Sequence, residues 1–125
     1  MTTTLTNHHR SERIRSLLDK IAQEERIVLI VEGKRDKFAL QRLIPKVKIF
    51  LLSDQKRSLY ESAEHIASNF NEAMLMLDAD KKGKDLSKRM ITYLQMHGIK
   101  INRGGEKLLK LTNRHHIEDL RSVVI

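Results

Sequence analysis

The chain contains no cysteine, which excludes a disulfide framework, a cysteine-ligated zinc and a thiol nucleophile. Any metal must be held by oxygen or imidazole. Aromatic residues are only 4% of the 125 residues, and Phe38, Phe50, Phe70, Tyr60 and Tyr93 mostly fit apolar stripes, so no platform for stacking unpaired bases is visible. The longest uninterrupted apolar runs, Ile27 to Val31 and Ala73 to Leu77, are far below the roughly 18 to 20 residues that cross a bilayer, and no membrane association is expected. No apolar stretch follows the first charges, so no secretory signal is expected and the expected location is cytoplasmic. The single proline, Pro45, sits where it can end a helix, and no repeat, low-complexity tract or linker interrupts the chain. One domain is expected at this length.

What is plentiful is positive charge. Twenty-four Lys and Arg against 16 Asp and Glu leave a net charge of +8, and such a field on a small domain favours polyanions, nucleic acid first. Many soluble proteins are simply basic, so a motif has to decide.

The apolar residues Ile14, Leu17, Leu18, Ile21 and Ala22 recur at helical spacing, which predicts an amphipathic helix after a polar tail through Arg10, with Ser11 as its N-cap. Ile27 to Val31 is too short for a helix and apolar on both faces, the pattern of a strand covered on both sides. Val47 to Leu52, Met74 to Leu77 and Ile99 to Ile101 are the other expected strands. Between them lie helical stripes: Phe38, Ala39 and Leu43; Leu59, Ala63, Ile66, Ala67 and Phe70; Leu86, Met90, Tyr93, Leu94 and His97. Leu108, Leu109 and Leu111, then Ile117, Leu120, Val123 and Val124, predict one or two short helices packing back on the sheet. The expected organisation is a tail and helix over residues 1–25, then an α/β domain with a C-terminal helical extension over 26–125. Alternating strands and helices imply βαβ units and a parallel sheet of about four strands, helices on both faces, in an order such as 2-1-3-4.

Ligands of such sheets bind outside the carboxyl ends of the strands. Glu32 follows the first strand directly, and Asp78 and Asp80 follow the third. Two residues apart on an extended segment point the same way, so the aspartates can share one crevice, which Glu32 joins if the first and third strands are neighbours. Crowded carboxylates need a cation, and Mg2+, with Mn2+ as a substitute, fits oxygen donors plus a substrate phosphate. Gly33 and Gly83 let both loops turn sharply and approach a ligand. Lys34 and Arg35 on the first loop, and Lys81, Lys82 and Lys84 on the second, suit a phosphodiester lying across the site, with Arg103 at the rim.

Plainer readings exist for each fragment. Glu-Gly is a common turn, and Asp-x-Asp can cap a helix; their joint placement favours a site. A calcium loop would need Asp or Asn and Glu where this chain has Lys82 and Arg89, and a phosphate loop would need glycine at Val28. Asp36 can join the acidic site or cap the following helix, Asp85 can serve the helix dipole, and Asp54 can edge the cleft, so these three are secondary candidates. His8–His9 and His115–His116 are adjacent pairs that cannot easily chelate one ion, and are expected as surface histidines.

Val31-Glu32-Gly33-Lys34-Arg35-Asp36, followed by Leu77-Asp78-Ala79-Asp80-Lys81-Lys82-Gly83, resembles the Toprim domain shared by type IA and II topoisomerases, DnaG-type primases, OLD-family nucleases and the bacterial 5S rRNA maturase. The resemblance covers roughly residues 26 to 110 and is nearest to the small stand-alone Toprim proteins of archaea. It implies a single three-layer Rossmann-like domain in which Glu32 is the acid or base, or shares the metal, and Asp78 and Asp80 hold magnesium. Neither Tyr60 nor Tyr93, both in helical stripes, looks like a strand-cleaving nucleophile. The expected activity is Mg-dependent chemistry on DNA or RNA phosphodiesters, as a nuclease or a nucleotidyl transferase. The alternative is a non-catalytic nucleic-acid-binding or adaptor module working with a protein partner or as a homodimer.

Overall fold

Ile27–Val31, with nothing but branched aliphatic side chains, forms an inner strand, β1, and all five residues are buried. Alternation along it splits the core in two, as a strand covered on both faces must. Leu29 and Val31 join one apolar cluster, while Val28 and Ile30 join the other. The structure is a computed structural model in which residues 7–123 are described. Three further strands, β2 (Ile49–Leu51), β3 (Glu72–Leu75) and β4 (Lys100–Asn102), complete a parallel sheet in the order β2-β1-β3-β4. The fold is α/β, the sheet has four strands, and β1 and β3 are neighbours, as the sequence predicts.

Among the described residues five helices surround it: α1 (Asn7–Gln23), α2 (Lys34–Leu43), α3 (Leu59–Asn69), α4 (Lys81–Met96) and α5 (Gly104–Thr112), with short 3-10 turns at Leu52–Asp54 and Ile117–Ser122. Ile14, Leu18 and Ile21 of α1, Leu40 of α2, Leu108 of α5 and Ile117 and Leu120 cover one face. Ala63 and Ile66 of α3 and Met90 and Leu94 of α4 cover the other. Ser58 caps α3 reciprocally, its hydroxyl accepting from Glu61 N at 3.1 Å while the Glu61 carboxylate accepts from Ser58 N at 3.0 Å, a local reason for that helix to start there.

Several expectations need correcting. The first helix is already formed at Asn7, so Ser11 lies within it and does not cap it. Phe38 and Tyr60 are 65% and 41% exposed, outside the core that their helical stripes suggested. Aliphatic residues such as Leu40 and Ile66 fill the core beneath these helices, and the Tyr60 ring packs at the surface against Tyr93 and His97. Pairing also begins and ends differently from the apolar runs. Glu72, at the start of β3, pairs with Ile27 and Lys100, whereas Leu77 lies beyond the ladder, after Met76 N donates to Ile30 O at 2.8 Å. Polar residues at the sheet's amino edge can join the ladder because pairing depends on the neighbouring backbone.

Candidate metal and nucleic-acid site

Glu32 is the first residue beyond β1, and Asp78 lies three residues beyond β3. Because these strands are adjacent and parallel, both carboxylates emerge at the same end of the sheet. A hydrogen bond from Ser53 N to Glu32 O at 3.0 Å ties the end of β2 to the same rim. This is the crevice outside the strand ends where α/β sheets place ligands.

Asp78 is held from an unexpected direction. Its Oδ1 accepts from Ile117 N at 2.8 Å, and its Oδ2 lies 3.2 Å from His116 Nδ1. Ala79 N donates to His115 O at 2.7 Å, so the segment 115–117 grips the aspartate loop on both sides. Asn113, the left-handed C-cap of α5 with φ of 54°, turns the chain toward this contact. Asp80 is the N-cap of α4, where its Oδ1 accepts from Gly83 N at 2.8 Å. One donor atom from each of Asp78, Asp80 and His116 lies within 4.8 Å of the other two. Opposite ligands of an octahedral ion with bonds of about 2.1 Å are about 4.2 Å apart, so the three donors are gathered to within about the span of one coordination shell. Two carboxylates with unused lone pairs fit a hard divalent ion, and the imidazole admits Mn2+ as well as Mg2+.

The imidazole of His116 has its pKa raised, first by the hydrogen bond to Asp78 and then by the negative charge of Asp78, with Asp80 and Asp119 adding to it. The protein thus places a readily protonated group where two carboxylates gather. His115 and His116 are both exposed, as expected, but the role of His116 was not legible. It is 38 positions from Asp78, and no local spacing connects them.

Glu32 stands outside this three-donor set. Lys82 Nζ lies 3.3 Å from its Oε2, and the two line an adjoining groove of about 550 Å³ with Lys81, Asp85, Leu86 and Arg89. Asp36 lies between the two halves electrostatically. Burial raises its pKa most, a bond from Gly33 N works against this, and the charges of Asp78, Glu118 and Glu32 raise it further. That bond, Gly33 N to Asp36 Oδ2 at 3.1 Å, closes the first turn of α2. Asp54 is exposed at the end of its 3-10 turn, and Asp85 is exposed on α4.

The two glycines differ from expectation. Gly33 has extended backbone, φ of −133°, and a Cβ there would meet nothing within 4 Å, so no sharp turn requires it. Gly83 does not end a loop but lies buried in the first turn of α4. A Cβ at Gly83 would collide with the backbone of Asp78, so the absent side chain lets α4 start hard against the aspartate loop. Both glycine N–H groups bond within their own segments. Lys34 is exposed and Arg35 lies 3.9 Å from Glu118, while Arg103 pairs with Glu106 at 3.3 Å. Among the described residues Lys81 and Lys84 form no ion pair.

A parallel four-stranded sheet with paired aspartates after β3 and a glutamate after β1 defines the class. Residues 27–116 match the family model for the Toprim domain, and the chain belongs to that family. It is similar to a UPF0292 protein of Pyrococcus horikoshii, 32% identical over 117 residues that cover 91% of this chain and 86% of that one. A UPF0292 protein of Methanosarcina barkeri is 33% identical over 116 residues, covering 91% and 80% of the two chains. In fold it resembles a protein from Aquifex aeolicus, with a TM-score of 0.70 at 24% identity, covering 86% of this chain and 95% of that one. Toprim domains as a family imply metal-dependent work on nucleic acid, and the acidic cluster here can hold a metal. No helix among the described residues is long and apolar enough to cross a membrane.

Proposed function

We propose that this protein is a divalent-cation-dependent enzyme that cuts or joins nucleic-acid phosphodiesters, with hydrolysis as the simplest outcome. The observation that carries this reading is the convergence of Asp78, Asp80 and His116 beside Glu32 at the carboxyl end of the sheet. Asp78 and Asp80 would hold Mg2+ or Mn2+, and His116 would steady Asp78 through Nδ1 or serve as a third donor. When bound, such an ion polarises a phosphoryl oxygen and acidifies coordinated water.

The chain's own residues then have separate tasks. Ile117 N fixes one oxygen of Asp78, so the carboxylate is oriented before any ligand arrives. Lys82 is exposed and only loosely tied to Glu32, with side chains 80% and 44% accessible, so it can turn from the carboxylate to a phosphate at little energetic cost. Glu32, thereby released, can accept a proton from an attacking water or hydroxyl. Lys81, Lys84, Lys34 and Arg35 would meet neighbouring phosphates, with Arg103 farther along the rim.

A second reading has its own support. Asp80 caps a helix and Glu32 is paired with Lys82, which are ordinary structural tasks. A nucleic-acid-binding module that works with a partner protein would keep both. Incubating the protein with labelled single- and double-stranded DNA and RNA, in Mg2+, Mn2+ or EDTA, separates the two. Cleavage or joining that needs the metal and disappears in Asp78→Asn and Asp80→Asn supports the enzyme. Tight binding with no covalent change under any condition supports the module.

A further inference from the structure

Besides the cleft at Glu32, the protein has an open groove of about 930 Å³ between α4 and α5, outside the ends of β3 and β4. Asp78 lines one part of it, so the groove is continuous with the candidate metal site. We propose that this groove is the track for an unpaired polynucleotide strand, which it guides across Asp78 and Asp80. The inference rests on the function proposed above and adds to it the form of the substrate and the path it takes.

Charge is the first argument. Lys81, Lys84 and Lys88 line the groove from α4, at spacings of three and four that put them on one helix face over about 10 Å at 1.5 Å per residue. Arg103, Lys110 and Arg114 line it from the α5 side. Among the described residues Lys81, Lys84, Lys88 and Lys110 have no acidic partner. The facing acids are Asp78, Asp85 and Glu106, and Glu106 is already engaged by Arg103 at 3.3 Å. Arg114 is bonded to Thr112 O and Asp119 O, so a row of three unpaired lysines on the α4 side faces Lys110 on the other, an arrangement that suits a linear polyanion.

The floor supplies the second argument. Between the basic rims lie Leu75, Leu77, Ile91, Ile101 and Leu109, and Leu75 and Ile101 are only partly buried, as is Ile91. A duplex keeps its base faces stacked inside and offers an apolar floor only sugar edges and thymine methyls. An unpaired strand can lay its sugars and unstacked bases against these aliphatic side chains while its phosphates meet the lysines, without the aromatic stacking that the lining lacks. The packing that makes the groove is specific. Asn102 Oδ1 accepts from Gly104 N at 2.8 Å, and its Nδ2 donates to Glu72 Oε2 at 2.7 Å, fixing the start of α5 to β3 and β4. Gly105 lets α5 press against Leu75 O, where a Cβ would collide.

The test is fluorescence anisotropy in EDTA, so that binding is read without turnover, using labelled 20-nucleotide oligo-dT, oligo-U and a 20-base-pair duplex. The wild-type chain should bind an unpaired strand more tightly than the duplex, and the oligo-dT and oligo-U arms identify DNA or RNA as the source. Lys84→Glu/Lys88→Glu/Lys110→Glu should weaken binding about tenfold or more and lower the log-log salt slope by about 2, at about 0.7 per phosphate contact on single strands. The control Lys46→Glu/Lys48→Glu/Lys100→Glu carries the same charge change at the amino end of the sheet and should leave the slope unchanged. A triple Lys→Gln variant of the groove residues, together with thermal midpoints for all variants, guards against misfolding. Equal losses in groove and control variants, or duplex binding as tight as single-strand binding, would overturn the track. Binding of polyglutamate in place of every oligonucleotide would overturn it in favour of an acidic protein partner. Hydrolysis of bis(4-nitrophenyl) phosphate in Mn2+ by wild type, Asp78→Asn and Lys88→Glu/Lys110→Glu tests the carboxylate site separately, because so small a diester does not need the groove. Turnover lost only in Asp78→Asn, with strand binding unchanged by the groove variants, would refute the track and leave the enzyme reading standing.

Discussion

Replacing Gly83 by alanine sets two well-understood effects against each other, and the structure decides the sign. Gly83 is in the first turn of α4, where alanine would ordinarily stabilise a helix by about 1 kcal/mol. The new Cβ, however, would stand 2.8 Å from the carbonyl carbon of Asp78 and 3.0 Å from its nitrogen, and closer still to its oxygen. Backbone cannot rotate aside as a flexible side chain can. The start of α4 would have to retreat by about 1 Å, and overpacking of this kind costs about 1–3 kcal/mol. The net expectation is a loss of up to about 2 kcal/mol, a fall in thermal midpoint of several degrees for a domain of this size. Displacement should also separate Asp80 from Asp78, because Asp80 is the cap of the helix that moves. Thermal denaturation with and without 10 mM Mg2+ or Mn2+ reads both consequences, since an ion bound only by the folded state raises the midpoint. Gly83→Ala should melt lower than wild type and gain less from the ion. A higher midpoint with an unchanged metal response would refute the close approach and leave helix propensity as the only effect.

Calorimetry should find weak Mg2+ or Mn2+ binding without nucleic acid, because so few protein ligands leave the ion largely hydrated; Asp78→Asn/Asp80→Asn should abolish it, and equal binding by both proteins would remove these residues as ligands. The His116 imidazole should titrate above its ordinary value by NMR and return toward it in Asp78→Asn. Its folded-state pKa is raised, so the stability it contributes is complete below the unfolded value of 6.5 and disappears as pH rises through the folded one; an unshifted imidazole would show that the Asp78 contact does not persist in solution. Asp36→Asn should keep an acceptor for Gly33 N while removing a charge that burial and three neighbouring acids disfavour. Its stability at pH 7 should match or exceed that of wild type, within about 1 kcal/mol. The wild-type chain alone should lose stability from this group as pH rises from below 3.8 through the raised value, and marked destabilisation by the amide would refute that account.

By itself the sequence determined that this would be an α/β protein with acidic residues gathered at one end of its sheet. The five-residue aliphatic run Ile27–Val31 can only satisfy both faces inside a layered fold, and helical stripes on each side supply the layers. Glu32 directly follows the last residue of β1, and Asp78 lies three residues beyond β3, so both carboxylates are read from the chain as lying past strand ends. Tertiary structure decided what those carboxylates meet. His116 reaches Asp78 only because Asn113 turns the chain left-handed after α5 and Ile117 buries beneath it. The conflict at Gly83 arises between a helix and the loop preceding it, and the exposure of Phe38 depends on how completely Leu40 and its neighbours fill the core. The basic groove joins lysines of α4 and α5 from opposite faces of the sheet. Periodicity records which face of an element is apolar, but the contacts between loop ends depend on how whole elements pack, and no spacing in the chain encodes that distance.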